Sequence, residues 1–136
     1  MHAPILTTTA AVGAFAAELA RYPIIAVDLE ADSLHCYQEK VCLLQFTTPE
    51  RTVLIDPLAG PDLAALAPVL ADPGVRKLFH AADYDIRCLQ RDFGIAIRGL
   101  FDTVWVTGVI KVEHKSSTLA ESGYQIHALE VTPYDE

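Results

Sequence analysis

Cysteine is scarce in this chain, which has 136 residues and only three cysteines, Cys36, Cys42 and Cys88. Their spacing is irregular and includes no CxxC pair, so the sequence encodes no disulfide framework. We therefore expect buried thiols in the reducing environment of the cytosol.

Basic residues are also few, since 10 lysines and arginines face 18 aspartates and glutamates and give a formal net charge of −8. This charge excludes a bulk electrostatic binder of nucleic acid or of an anionic membrane. Nucleic acid remains an open partner if bound cations contact its phosphates, because two Mg²⁺ ions would change the net charge from −8 to −4.

Long apolar segments are missing as well. A membrane span needs roughly 18 uncharged apolar residues in a row, and the sequence has no such run. The first twenty residues contain no Lys or Arg, and Glu18 interrupts their apolar stretch, which argues against a signal peptide. We expect a soluble cytoplasmic protein.

What the sequence does contain is enough for one globular domain. Hydrophobic residues make up 51% of the chain, and no low-complexity tract or internal repeat is present, which excludes disorder. A chain of this length buries about two-thirds of its unfolded surface on folding, which supports a single core.

Hydrophobic periodicity predicts alternating strands and helices. Short polar connections join the first three strands into an antiparallel meander, and the predicted strands are 24–30, 41–47, 52–56 and 76–80. The predicted helices are 10–21, 62–71 with a break at Pro68, and 83–92, which Gly94 ends as a C-cap. This order indicates an α/β domain with a mixed sheet, followed by a strand-like stretch at 104–110.

Two acids lie on the first strand of this meander. One residue separates Asp28 from Glu30, so the two-residue period of a strand places both side chains on one face, about 6–7 Å apart. Val27 and Leu29 then point into the core. Two acids on one face repel each other unless a cation lies between them, and their oxygens suit Mg²⁺ or Mn²⁺. Taken alone, the pattern is more common as a solvent-exposed pair at a sheet edge.

Further acids follow the strand that ends at His80. Asp83 is a natural N-cap for the next helix, and Asp85 lies in its first turn, near the carboxyl end of the sheet where α/β folds bind ligands. A two-metal site needs such a third acid from a second segment. Asp102 is either a fourth acid or a helix N-cap.

These segments together resemble the ribonuclease D-like branch of the DEDD 3′–5′ exonucleases. Residues 25–33 (IAVDLEADS) are similar to the first exonuclease motif, and residues 77–85 (KLFHAADYD) to the second. Residues 41–45 (VCLLQ) match the strand between these motifs, and 101–103 (FDT) match the family's next segment. The resemblance covers roughly residues 8–103.

The resemblance implies a fold and a site. The fold is the three-layer RNase H-like α/β fold with a mixed sheet, in which a parallel strand extends the antiparallel meander and the C-terminal part is shortened. The implied catalytic and metal-binding acids are Asp28, Glu30 and Asp85, with Asp102 in a supporting role. The implied substrate-binding residues are Leu29, Tyr37, His80, Tyr84 and Arg87.

The implied reaction is metal-dependent hydrolysis of RNA or single-stranded DNA from its 3′ end, as in RNA processing. An ion between Asp28 and Glu30 would lower the pKa of the attacking water, and a second ion held by Asp28 and Asp85 would stabilise the departing 3′ oxygen. The cofactors are therefore two Mg²⁺ or Mn²⁺ ions.

The family's third motif, a Tyr or His three or four residues before an Asp, has no counterpart after Thr103. The late candidates lack an Asp at this spacing; they are His114, Tyr124, His127 and Tyr134. Without this motif one ion binds weakly and the attacking water is poorly aligned. We therefore assign residues 1–103 to the exonuclease domain and 104–136 to a divergent or truncated segment of the same domain.

The sequence thus leaves a second hypothesis open, a catalytically incomplete domain that binds nucleic acid or protein. A homodimer that supplies a missing acid is also compatible with the sequence.

Several other polar residues have two interpretations. Arg87 contacts substrate phosphates or forms an i, i+4 pair with Asp83. Tyr37 stacks on a base or has a simple loop role. Gln45 is expected as a satisfied amide in the core, and Trp105 as a core residue.

Overall fold

The computed structural model describes residues 2–32 and 39–103, together with two short strands at 115–117 and 120–122. The chain divides into two compact units, residues 1–104 and residues 105–136. In the second unit, the two short strands, Lys115–Ser117 and Ala120–Ser122, pair with each other in antiparallel fashion. The predicted strand at 104–110 and the predicted core position of Trp105 lie outside the described residues.

Strands and helices alternate through the first unit. The strands described there are β1 (Ile5–Leu6), β2 (Ile24–Asp32), β3 (Lys40–Thr47), β4 (Thr52–Ile55), β5 (Arg76–His80) and β6 (Leu100–Thr103). The helices are α1 (Thr9–Leu19), α2 (Leu66–Ala71) and α3 (Ala82–Phe93), and a 3₁₀ turn spans Pro57–Ala59.

The strands form one mixed sheet in the order β1-β4-β3-β2-β5-β6. The antiparallel meander of β2, β3 and β4 and the parallel addition of β5 to β2 confirm the predicted topology. The two edge strands were not predicted. β1 has only two residues, and all four residues of β6 are exposed, so neither strand has a hydrophobic alternation to detect.

Helices cover both faces of the sheet. The apolar face of α1 is buried, and its Phe15 ring makes a T-shaped contact with Phe46 of β3, at 5.9 Å between ring centroids. α2 packs against α1. Val27 of β2 lies opposite Phe46 and so shares this face, whereas α3 packs on β2 and β3 from the other side. The result is a three-layer α/β/α arrangement.

Pro68 does not break the predicted helix, and that expectation was wrong. α2 begins only at Leu66, so Pro68 lies in its first turn, where the missing N–H would have had no acceptor within the helix. The preceding residues form a turn in which Asp62 accepts the N–H of Ala64 at 2.8 Å.

A buried lysine joins α2 to β5. The Nζ atom of Lys77 donates to the carbonyl oxygens of Val69 (3.1 Å), Asp72 (2.5 Å) and Val75 (2.5 Å). Its side chain is fully buried, and this burial lowers the pKa of its ammonium group. Lys77 thereby fastens the strand that leads to His80.

The cysteines only partly match the expectation of buried thiols. Cys88 is buried, Cys42 is half-buried, and both are free thiols, while Cys36 lies outside the described residues. In the part of the chain that the structure describes, every helix is too short or too polar to cross a membrane.

Candidate active site

The paired acids of β2 lie where the alternation predicts. Asp28 and Glu30 are exposed on one face of β2. The alternating residues Val27 and Leu29 are buried on the opposite face. In the antiparallel pairing with β3, Asp28 lies opposite Gln45 and Glu30 opposite Leu43. The pairing register shifts between Glu30 and Ala31, so an irregularity of the bulge type lies next to the second acid.

Asp85 of α3 interacts electrostatically with these two acids. It lies in the first turn of the helix and its side chain is only 7% exposed. Burial raises the pKa of Asp85 to about 7, and the charges of Asp28, Glu30 and Asp102 add to the increase. Among the described residues, no basic side chain opposes this effect. Asp85 therefore lies within electrostatic range of Asp28 and Glu30.

Asp102 orients the helix that carries Asp85. Both of its carboxylate oxygens accept the N–H of Ala82, at 3.1 and 3.0 Å, so β6 supplies the cap for the N-terminus of α3. The expectation that Asp83 is the N-cap was wrong. The cap position is Ala81, which has a left-handed backbone conformation (φ 52°). Its methyl side chain has no hydrogen-bond acceptor for the helix N-terminus. Asp102 therefore caps a helix, but one from another segment of the chain.

His80 ends β5 beside this cap. Its Nδ1 lies 3.0 Å from the hydroxyl oxygen of Thr103, and that hydroxyl donates to the carbonyl of Phe79 at 3.1 Å. Thr103 therefore links the His80 ring to the backbone of β5.

The remaining predicted substrate residues are placed differently from one another. Tyr84 and Arg87 line a cavity of about 380 Å³ beside α3. Arg87 also forms the i, i+4 ion pair with Asp83, at 2.8 Å, that was one of its two predicted roles. Leu29 lies at the site only through its backbone, since its side chain is in the core. Tyr37 lies outside the described residues.

Gln45 is a site residue that sequence reasoning missed. It was expected in the core, but it is exposed and lines a small cavity of about 50 Å³ together with Asp28, Glu30 and Leu43. Aligning β2 and β3 in register would have found it, because a residue paired with Asp28 must share its face.

The donor chemistry of this cluster fits a hard divalent cation. Carboxylate oxygens are the ligands that Mg²⁺ and Mn²⁺ prefer, and a cation opposes the repulsion that, together with burial, raises the pKa of Asp85. Within residues 2–32 and 39–103, however, no three His, Cys, Asp or Glu side chains already form a closed ligand set.

A comparison with known protein families identifies the family of the chain. The sequence profile of a 3′–5′ exonuclease family matches residues 4–130. The chain belongs to this 3′–5′ exonuclease family. Its resemblance to the ribonuclease D-like branch is thereby confirmed, because a ribonuclease D of Nitrobacter hamburgensis is 36% identical over 100 residues, or 73% of this chain.

Solved structures of related exonucleases confirm the RNase H-like fold. The catalytic core of RRP6 from Trypanosoma brucei is 38% identical and superimposes with a TM-score of 0.70 over 75% of this chain. RNase D of Escherichia coli is 31% identical, with a TM-score of 0.68 over 75% of this chain. The chain spans 26% of the Nitrobacter ribonuclease D and 29% and 27% of these two crystallised chains.

Proposed function

We propose that this exonuclease domain hydrolyses the 3′-terminal phosphodiester bond of RNA with a divalent cation held by Asp28, Glu30 and Asp85. The observation that carries the proposal is the burial of Asp85 beside Asp28 and Glu30 with no basic partner among the described residues. Four acids in one neighbourhood are costly for a fold unless they serve a cation.

The chain's own residues would perform two tasks at this site. Asp28, Glu30 and Asp85 hold the cation, and Asp102 keeps the N-terminus of α3 in place through the Ala82 amide. A divalent ion bound there supplies a Lewis acid that activates water and neutralises phosphate charge. The proposal assigns Mg²⁺ or Mn²⁺, up to two ions, to this position.

The substrate would lie along α3. The cavity lined by Tyr84 and Arg87 has a volume of about 380 Å³, within the size range of small-molecule sites. The guanidinium of Arg87 is exposed and suits a phosphate oxygen, and Tyr84 is partly exposed and suits stacking on a base. His80 lies at the end of β5, with its Nδ1 at 3.0 Å from the Thr103 hydroxyl.

RNA is favoured over DNA as the substrate by the related proteins. The E. coli RNase D is described as an exoribonuclease involved in structured RNA processing, and it is 31% identical to this chain. A cytoplasmic location and the division of the chain at residue 103 stay predictions.

A second candidate function is RNA binding without cleavage. It is favoured by the sequence after Thr103, which has no Tyr or His followed at three or four residues by an Asp. In this case the three acids would hold a cation that bridges the chain to phosphate, but the attacking water would lack its alignment.

The deciding experiment is digestion of single-stranded RNA labelled at its 5′ end, in Mn²⁺ or Mg²⁺. We expect a ladder that shortens from the 3′ end and disappears in Asp28→Asn. Asp62→Asn is the matched control, because it removes one charge from an exposed turn, and asparagine retains the acceptor for the Ala64 N–H. Cation-dependent RNA binding with no ladder from the folded wild type would favour the second candidate.

A further inference from the structure

A network of charged side chains joins α3 to the start of β3. Arg91 is its centre: its Nη1 lies 2.8 Å from Glu39, and its Nε and Nη2 lie 2.6 and 3.1 Å from the two oxygens of Asp92. The hydroxyl of Tyr84 donates to the same Glu39 carboxylate. Hydrogen bonds from Tyr84 and Arg91 lower the pKa of Glu39, so the carboxylate is held ionised.

The second carboxylate of the network reaches the backbone of the sheet. Asp92 accepts the N–H of Val41 at 2.8 Å, and its side chain is largely shielded from solvent. Val41 pairs with Ala31, the first residue after the register shift that follows Glu30. Asp92 therefore fastens α3 to the strand pair directly beside one of the site acids.

The network contacts α3 at two positions along the helix. Tyr84 precedes Asp85 in the first turn, and Arg91 and Asp92 lie about two turns further along. Both attachment points reach Glu39 or Val41, next to the strand that carries Glu30. Side chains outside the cluster of acids thus link the helix that carries Asp85 to the strand pair that carries Glu30.

We propose that Arg91 is a positioning residue, which acts through Glu39 and Asp92 to hold α3 where Asp85 and Glu30 bind one divalent cation. This inference rests on the proposed function only in requiring that these acids bind a cation. Arg91 is suited to the task because its planar fork bridges two carboxylates at once.

The test is calorimetric titration of the metal-free protein with Mn²⁺. We expect Arg91→Met to weaken Mn²⁺ binding roughly tenfold, the lower end of the effect of outer residues on metal sites. Arg51→Met is the matched control, because Arg51 also forms a two-point pair with a carboxylate, Glu18, and is similarly exposed (48% against 43%). This control should leave Mn²⁺ affinity within about twofold of the wild type.

Two variants of Asp92 separate positioning from loss of folding. Asp92→Asn retains an acceptor for the Val41 N–H, so it should fold and show an intermediate loss of Mn²⁺ affinity. Asp92→Ala removes the acceptor as well and should match or exceed Arg91→Met. Urea unfolding of each variant measures its stability independently, and Arg91→Met and Arg51→Met should lose similar amounts.

Each outcome decides the inference. Equal Mn²⁺ affinities in Arg91→Met and Arg51→Met would overturn it, and so would a wild type that binds no Mn²⁺. Weakened binding in Arg91→Met and Asp92→Asn would support it even if the wild type cleaves no RNA, in which case the proposed function alone would fail.

Discussion

The pKa of Asp85 makes the stability of the metal-free protein depend on pH. Its carboxyl has a pKa of about 7 in the fold against an ordinary value of 3.8. The unfolded chain therefore loses this proton first as pH rises, and stability is lost between these two values and stays low above them. At about 1.36 kcal/mol per pKa unit, the full loss is about 4 kcal/mol, an upper bound because water and side-chain movement reduce it.

Replacing Asp85 with asparagine removes this loss. In EDTA, Asp85→Asn should be more stable than the wild type at about pH 8, by up to about 4 kcal/mol. The advantage should shrink by about 2–3 kcal/mol at pH 5 and vanish near pH 3. Urea unfolding followed by circular dichroism at each pH measures the difference, with Asp62→Asn as the control. An advantage of equal size at pH 5 and pH 8 would refute the reasoning.

Substitutions at three further positions test the supports of the site by urea unfolding. Lys77→Met leaves three carbonyl oxygens without their donor and should lower the free energy of unfolding by about 3 kcal/mol. A loss below about 1 kcal/mol would contradict this. Ala81→Gly relieves a left-handed alanine and should stabilise by about 0.5–1 kcal/mol, whereas destabilisation would show that the alanine is unstrained. Asp102→Ala should cost about 1 kcal/mol by removing the cap of α3, and Asp102→Asn, which retains an acceptor, should cost clearly less; equal losses would argue against capping.

The parts of the fold that the sequence predicts are those governed by local periodicity. Alternation along β2 places Asp28 and Glu30 on one face, and a helix that follows β5 directly brings Asp85 to the same end of the sheet. The helix that ends at Gly94, whose φ is 65°, is predicted for the same reason, because only a short stretch of chain is involved.

The parts that the sequence does not predict depend on which distant segments become neighbours. Asp102 caps α3 from a strand with no hydrophobic alternation, and Gln45 is assigned to the wrong face when the register of β3 against β2 is unknown. The Arg91 network joins residues about fifty positions apart. The secondary-structure propensity of a residue contains no information about such pairs, because the residues become neighbours only when the sheet and the helix pack together.

The most direct test of the account is Mn²⁺ binding followed by electron paramagnetic resonance of the free ion. The account predicts saturable binding by the wild type and by Asp62→Asn, and its loss in Asp28→Asn, Glu30→Gln and Asp85→Asn. Equal binding in all five proteins, or none in the folded wild type, would contradict the claim that the three acids form one cation site.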